Sequence, residues 1–173
     1  MLPQTDRLAL RPITLDDLDT VFRLDSDPDV MRYIIPPRTY EGAREYVEEI
    51  LTNYERFPGL GRWAIIEKST GAFVGVQVLK HLETSGHIEV GYRYFPAYWG
   101  RGFATEMTRA VLRYGFGELG LQQIVGVTSP ENLASQHVLG KCGLRFQHMA
   151  EFYGGPVRFY TLNAADFLSE TPR

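Results

Sequence analysis

The chain has 173 residues, 44% of them hydrophobic and 23% charged, which is ordinary for a soluble globular protein of one domain with a real core. A formal net charge of −3 offers nothing global to attract nucleic acid, so any anion site must be local. No apolar run approaches bilayer-spanning length, no signal-peptide pattern opens the chain, and the one cysteine, Cys142, has no internal disulfide partner; a cytoplasmic protein in a reducing compartment is the expectation.

In chain order, residues 5–12 read as a strand carried by Leu8 and Leu10. Thr14 reads as a helix cap, with Asp16 and Asp17 in the first turn and Leu15, Leu18, Val21 and Phe22 as the buried stripe. Asp27-Pro28-Asp29 and Pro36-Pro37 break the chain before a second helix at 39–57. There Tyr40, Ala43, Val47, Ile50, Leu51 and Tyr54 recur at helical spacing, and Pro58-Gly59-Leu60-Gly61 ends the run. Strand-like segments at 62–68 and 72–80 flank a Ser69-Thr70-Gly71 turn, and a third at 87–95 follows Thr84-Ser85-Gly86.

After 95 comes a short turn bearing Gly100 and Gly102, then a long helix with Phe103, Met107, Ala110, Val111 and Tyr114 on one face. A strand at 123–127, a helix from near 130 and strands at 144–153 and 157–162 complete the chain. The order β-α-α-β-β-β-α-β-α-β-β predicts an α+β (mixed α/β) domain. Its sheet is largely antiparallel, of about seven strands, with about four helices on its faces. No repeat or linker divides it, so residues 5–167 read as one domain.

The segment from Phe95 to Thr105 is the most informative stretch. A strand feeds a tight glycine turn that opens directly into a helix, which aims backbone N–H groups and the positive end of a helix dipole at one point. Two glycines let a bulky anion approach the backbone. The natural guest is a diphosphate. It is not a Walker A loop, since no Gly-Lys-Ser/Thr follows, nor a dinucleotide fingerprint, since the third glycine and acidic partner are missing.

Glu89-Val90-Gly91-Tyr92, Tyr98-Trp99-Gly100-Arg101-Gly102-Phe103-Ala104-Thr105-Glu106, Asn132-Leu133-Ala134-Ser135 and Lys141-Cys142-Gly143-Leu144 give the chain a family likeness. It resembles the GNAT superfamily of acetyl-CoA-dependent N-acetyltransferases, and within it the RimJ/RimL-type branch, from Thr5-Asp6-Arg7-Leu8 through Leu162. The resemblance implies a GNAT-like sheet splayed in the middle, with acetyl-CoA (coenzyme A) as co-substrate and no metal. Amides of Gly100, Arg101, Gly102, Phe103, Ala104 and Thr105 would hold the pyrophosphate, helped by the Arg101 side chain. Trp99 also counts among the cofactor-binding residues by this resemblance; it departs from the broad family pattern, which has glutamine or arginine there, but is familiar in the RimJ/RimL-like branch. Tyr92, Arg93 and Tyr94 match the strand whose backbone lies along the pantetheine arm. An N–H there would also stabilise the thioester oxygen as charge develops on it, by about 2.7–4 kcal/mol. The tyrosine side chains are expected to pack.

Asn132, Ser135 and Leu139 share one helix face by their spacing. Either Ser129 or Asn132 could simply cap that helix. By resemblance Asn132 contacts the cofactor and Ser135 lies near the sulfur, able to assist the departing thiolate. Many GNAT enzymes have a tyrosine where this chain has Leu139, so Ser135 or water must substitute. Glu89 is the preferred general base and would serve equally as an ordinary salt-bridge partner; Glu151 is the reserve, and Glu106 reads as solvated.

His81, His87, His137 and His148 show no metal-ligand spacing, and Ser135 and His137 point to different helix faces. The expectation is an acyl-CoA N-acyltransferase acting on a small-molecule or peptide amine in a ternary complex, as a monomer or homodimer, without nucleic-acid or membrane partners. The competing reading is a domain that senses coenzyme A without turnover.

Overall fold

Leu8 and Leu10 alternate with half-buried Ala9 and Arg11, and this period-two pattern makes the first strand, β1 (Leu8–Pro12), of a computed structural model that describes residues 1–170. The strands that follow are β2 (Gly61–Glu67), β3 (Phe73–His81), β4 (Ile88–Tyr94), β5 (Gln123–Thr128), β6 (Arg145–Phe152) and β7 (Gly155–Asn163). They form one mixed sheet in the order β1-β2-β3-β4-β5-β7-β6. Every neighbouring pair is antiparallel except β4 with β5, which is parallel and holds a single registered pair, Glu89 with Val125. Beyond that pair the two strands part. The sheet is therefore open at its centre, as anticipated.

Among the described residues there are six α-helices: α1 (Leu18–Asp25), α2 (Pro28–Met31), α3 (Tyr40–Arg56), α4 (Phe103–Gly117), α5 (Leu133–Lys141) and α6 (Ala164–Glu170). Two apolar clusters tie them to opposite faces. Val21 and Leu24 of α1 and Val47 and Ile50 of α3 pack with Ala64, Val76 and Val78. Met107 and Val111 of α4 and Leu139 of α5 pack with Leu79, Val90, Tyr94 and Ile124. Each such side chain contributes about 1.5–3 kcal/mol when fully withdrawn from water.

The structure differs from the sequence reading in three local ways. Asp17 turns inward to pair with Arg11 through two 2.7 Å bonds and accepts the Thr14 N–H at 2.9 Å. Residues 15–17 consequently form a 3₁₀ turn, α1 starts only at Leu18, and Leu15 is 55% exposed rather than buried. Asp27-Pro28 starts a helix as well as breaking one: the Asp27 carboxylate accepts from the N–H groups of Asp29 (2.9 Å) and Val30 (3.3 Å), with Pro28 in the first turn of α2. The third is α6, which follows β7 and brings the helix count above the four expected.

Candidate functional site

The glycine turn is the first component. Gly100 and Gly102 both take left-handed backbone angles, with φ of 72° and 79°. A Cβ at Gly100 would meet nothing within 4 Å, and one at Gly102 only the Arg7 guanidinium at 3.6 Å. Gly102 caps α4, and among the described residues no side chain accepts from the helix's first amides. Those N–H groups, which have no intrahelical partner, face outward beside a positive dipole end. The Trp99 indole N–H donates to the Tyr94 carbonyl at 2.8 Å and so pins the turn to the end of β4.

Cations stand on both sides of the turn, each already engaged. Arg101 reaches back to Glu67 (2.5 Å) and lies over the Phe103 ring at 4.4 Å. Arg7 donates to the Arg101 carbonyl (3.1 Å) and to Glu106 (2.7 Å). Glu106 is thus not a solvated acid. Burial pushes its pKa up, but bonds from the Thr5 hydroxyl and Arg7, with the Arg7 charge, outweigh this and hold it below the usual carboxylate value.

The second component is the open edge of β4. The Phe95 N–H donates to the Val74 carbonyl, so the backbone groups of Phe95, Arg93, Gly91 and Glu89 face β3. Those of Tyr94, Tyr92 and Val90 face the other way, toward β5. Among the described residues no strand pairs with Tyr92 or Tyr94 on that side, because β5 has diverged; the Tyr94 carbonyl is taken by the Trp99 indole, which leaves the Tyr94 N–H and the Tyr92 groups without a strand partner. Arg93 does not share this edge: its main chain is spent on β3, so the alternation that presents Tyr92 and Tyr94 removes Arg93 from the gap.

Across the gap stands the start of α5. The Asn132 side-chain Oδ1 caps this helix by accepting from the Ser135 N–H at 3.1 Å. The Ser135 hydroxyl is 3.3 Å from the Tyr92 hydroxyl, a pairing that packing-only roles for the tyrosines did not foresee. Burial raises the Tyr92 phenol far above its ordinary value, against the opposing effect of the Ser135 bond, so the hydroxyl stays neutral. Leu139 lies in the core, with a δ-carbon 2.8 Å from where a Cβ of Gly126 would stand. Burial also raises the neighbouring Cys142 thiol, to about 11, and its sulfur donates to the Thr105 carbonyl at 3.7 Å.

The opposite face of β4 carries charge. Glu89 is buried, and its Oε1 accepts from both Lys80 and the Tyr153 hydroxyl; Lys80 also donates to that hydroxyl at 2.7 Å. Two residues along, a Cβ at Gly91 would meet only Val78, at 3.8 Å, which leaves room above the strand. Two further on, Arg93 makes a two-point contact with fully buried Asp25 (2.6 and 3.0 Å) and donates to the Tyr46 hydroxyl at 2.9 Å. Asp25 also accepts from Arg38 at 3.1 Å. Glu151, in contrast, stays exposed on β6.

The site thus joins an amide-lined turn, an unpaired strand edge, two touching hydroxyls and a buried carboxylate beside open space. The first three line one side of β4 and the last the other. The donor set suits a diphosphate carrier with an extended amide-bearing arm: glycines where it must approach, main-chain groups along its path, hydroxyls near its far end. Arg7, Tyr92 as a hydroxyl, Lys80 and Tyr153 escaped the sequence reading. Of these, Arg7 alone had a signal, its place in Thr5-Asp6-Arg7-Leu8.

The acetyltransferase (GNAT) domain model matches residues 7–145, and the chain belongs to that family. Over 159 residues it is 33% identical to the FsC-acetyl coenzyme A-N(2)-transacetylase of Aspergillus fumigatus, a match taking in 86% of this chain and 66% of that protein. It is 26% identical over 159 residues to the spermidine N(1)-acetyltransferase of Escherichia coli K12, covering 88% of this chain and 81% of the relative. The crystal structure of a GNAT-family acetyltransferase from Bacillus anthracis superposes with a TM-score of 0.83 at 27% identity, covering 95% of this chain and 99% of that one.

Proposed function

We propose that residues 5–167 form a single RimJ/RimL-like N-acetyltransferase that moves an acetyl group from acetyl-CoA to a primary amine by direct attack in a ternary complex. The observation that carries this reading is the glycine-capped start of α4, whose first amides have no side-chain acceptor among the described residues, together with the β4 edge that β5 leaves open. Amides from Gly100 to Thr105 would hold the diphosphate, and the main chain at Tyr92 and Tyr94 the pantetheine arm. Bound there, acetyl-CoA supplies an activated thioester. Ser135, backed by the Tyr92 hydroxyl, stands where a departing sulfur needs a hydrogen bond. Glu89 takes the acceptor's proton beside the open space over Gly91. An α-amine, titrating near ~7.7–8.0, needs less of this help than a lysine near ~10.4. A relative named for spermidine and one named for an N(2) nitrogen support an amine acceptor. The buried free thiol of Cys142 suits a reducing, cytoplasmic setting, with the protein a monomer or homodimer.

The test is a panel of spermidine, an alanine-started peptide, ornithine and kanamycin with acetyl-CoA, following free thiol. At least one amine should release thiol catalytically, and Ser135→Ala should slow that amine about a hundredfold while leaving coenzyme A affinity in place. Calorimetric binding of coenzyme A with no thiol release on any amine would instead establish a sensor.

A further inference from the structure

Glu89 is shut away from water: its side chain is only 7% exposed. A base buried in this way accepts one proton and stops unless a neighbour passes it on. Two neighbours do reach solvent. Tyr153 is 41% exposed, and with Lys80 it lines a cavity of about 420 Å³ whose other walls include Glu49, Asn53, Arg56 and Glu83. Glu89 is not part of that wall.

We propose that the Tyr153 hydroxyl relays the acceptor's proton from Glu89 to the water of this cavity, with Lys80 as the fixed cation that orients both oxygens. The relay rests on the reading of Glu89 as the base. For an acceptor that arrives as an ammonium, one N–H bond breaks and the proton goes to the Glu89 carboxylate. The Tyr153 oxygen then accepts that proton while its own phenolic proton passes to a cavity water. Carboxylate and neutral phenol are restored, and one proton reaches solvent for each acetyl group transferred. A phenol can do this because a single oxygen both donates and accepts, whereas an ammonium such as Lys80 only donates.

The surroundings hold Tyr153 in place for this task. It sits in the turn between β6 and β7 at φ 55°, a left-handed conformation unusual for a bulky residue. Its N–H donates at 3.2 Å to the carboxylate of Glu83, itself at φ 46° in the turn after β3. Two strained turns from distant parts of the chain are thus latched together beside the proposed base. Conformations of this kind persist where the surroundings over-determine them. Burial and the adjoining Glu89 charge also raise the Tyr153 phenol, so the hydroxyl keeps its proton between turnovers.

The experiment compares wild type, Tyr153→Phe and Glu89→Gln by thiol release with acetyl-CoA and the fastest amine of the panel above. Imidazole is varied at constant ionic strength. Tyr153→Phe should lose about tenfold to a hundredfold in kcat with KM for acetyl-CoA unchanged, and imidazole, small enough for the cavity, should restore several-fold of the loss. Turnover at the wild-type rate, or a loss indifferent to imidazole, overturns the relay alone. Should the variant not fold, wild type serves: its kcat should fall in D₂O, and the fall should shrink as imidazole rises. An isotope effect blind to imidazole again overturns the relay. Glu89→Gln turning over at the wild-type rate overturns base and relay together, and wild type that releases no thiol with any amine overturns the acetyltransferase reading beneath both.

Discussion

The two sides of β4 are built from different materials. Toward the gap, the strand offers main-chain groups at Tyr92 and Tyr94, and the neutral Tyr92 hydroxyl meets that of Ser135 on α5. Toward α1 and α3 it offers ion pairs, Glu89 with Lys80 and Arg93 with Asp25. The difference follows from the chemistry each side is proposed to serve. A thioester arm carries no charge and needs amides and weak donors, while an amine must shed a proton and needs fixed charges to receive it. One strand, seven residues long, separates the two environments by nothing more than the alternation of its side chains and of its hydrogen-bonding edges.

The comparison breaks hardest at Asp25. Replacing it with alanine strands Arg93 and Arg38 without their shared carboxylate, and the loss of one partner from a buried pair costs about 3–5 kcal/mol. Thermal unfolding followed by circular dichroism should show Tm lowered by on the order of 10 °C. An unchanged Tm would mean that the charged side is not what holds β4 against α1. The gap side is sharpened by Gly102→Val. A β-branched residue at φ 79° costs on the order of 1–2 kcal/mol and covers the helix start. Calorimetry should record coenzyme A affinity weakened about tenfold or more, while folded Asp25→Ala protein keeps wild-type affinity.

The smallest effect lies at Glu106. Its carboxylate pKa is lower in the folded protein than in the unfolded chain, where it is near ~4.3. Its stabilisation is therefore fully present above that value and is lost as pH falls through the folded value. The pairing with Arg7 is partly exposed, so the stake is about 1 kcal/mol at most. Urea midpoints should separate wild type from Glu106→Gln at pH 7, and the separation should close by pH 3. A gap that widens in acid would reverse the assignment.

What could be read in advance divides along the same line. The glycine turn, a cap at Ser129 or Asn132 and the succession of elements along the chain were legible because each depends on residues within a few positions of one another, where spacing and backbone preference decide the outcome. Tyr92 with Ser135, Glu89 with Tyr153 and Arg93 with Asp25 are 43, 64 and 68 residues apart. No local pattern announces such pairs; they exist only once the sheet has set its register. Even Asp27-Pro28 shows the limit, since the same dipeptide breaks one helix and starts another, and the turn of helix there combines the Asp27 cap with the burial of Val30 and Met31.

The contact of Leu139 with Gly126 closes off one chemical option. Helix and sheet approach so closely there that a methyl group on residue 126 would lie 2.8 Å from a leucine δ-carbon, and the leucine would have to shift. A phenol ring placed at 139 would add atoms to this closely packed contact, at a cost of about 1–3 kcal/mol. In the proposed reaction the hydroxyls that stand in its place are those of Ser135, one turn earlier on α5, and Tyr92 on the strand opposite, so a redesign of that leaving-group chemistry would start from these two.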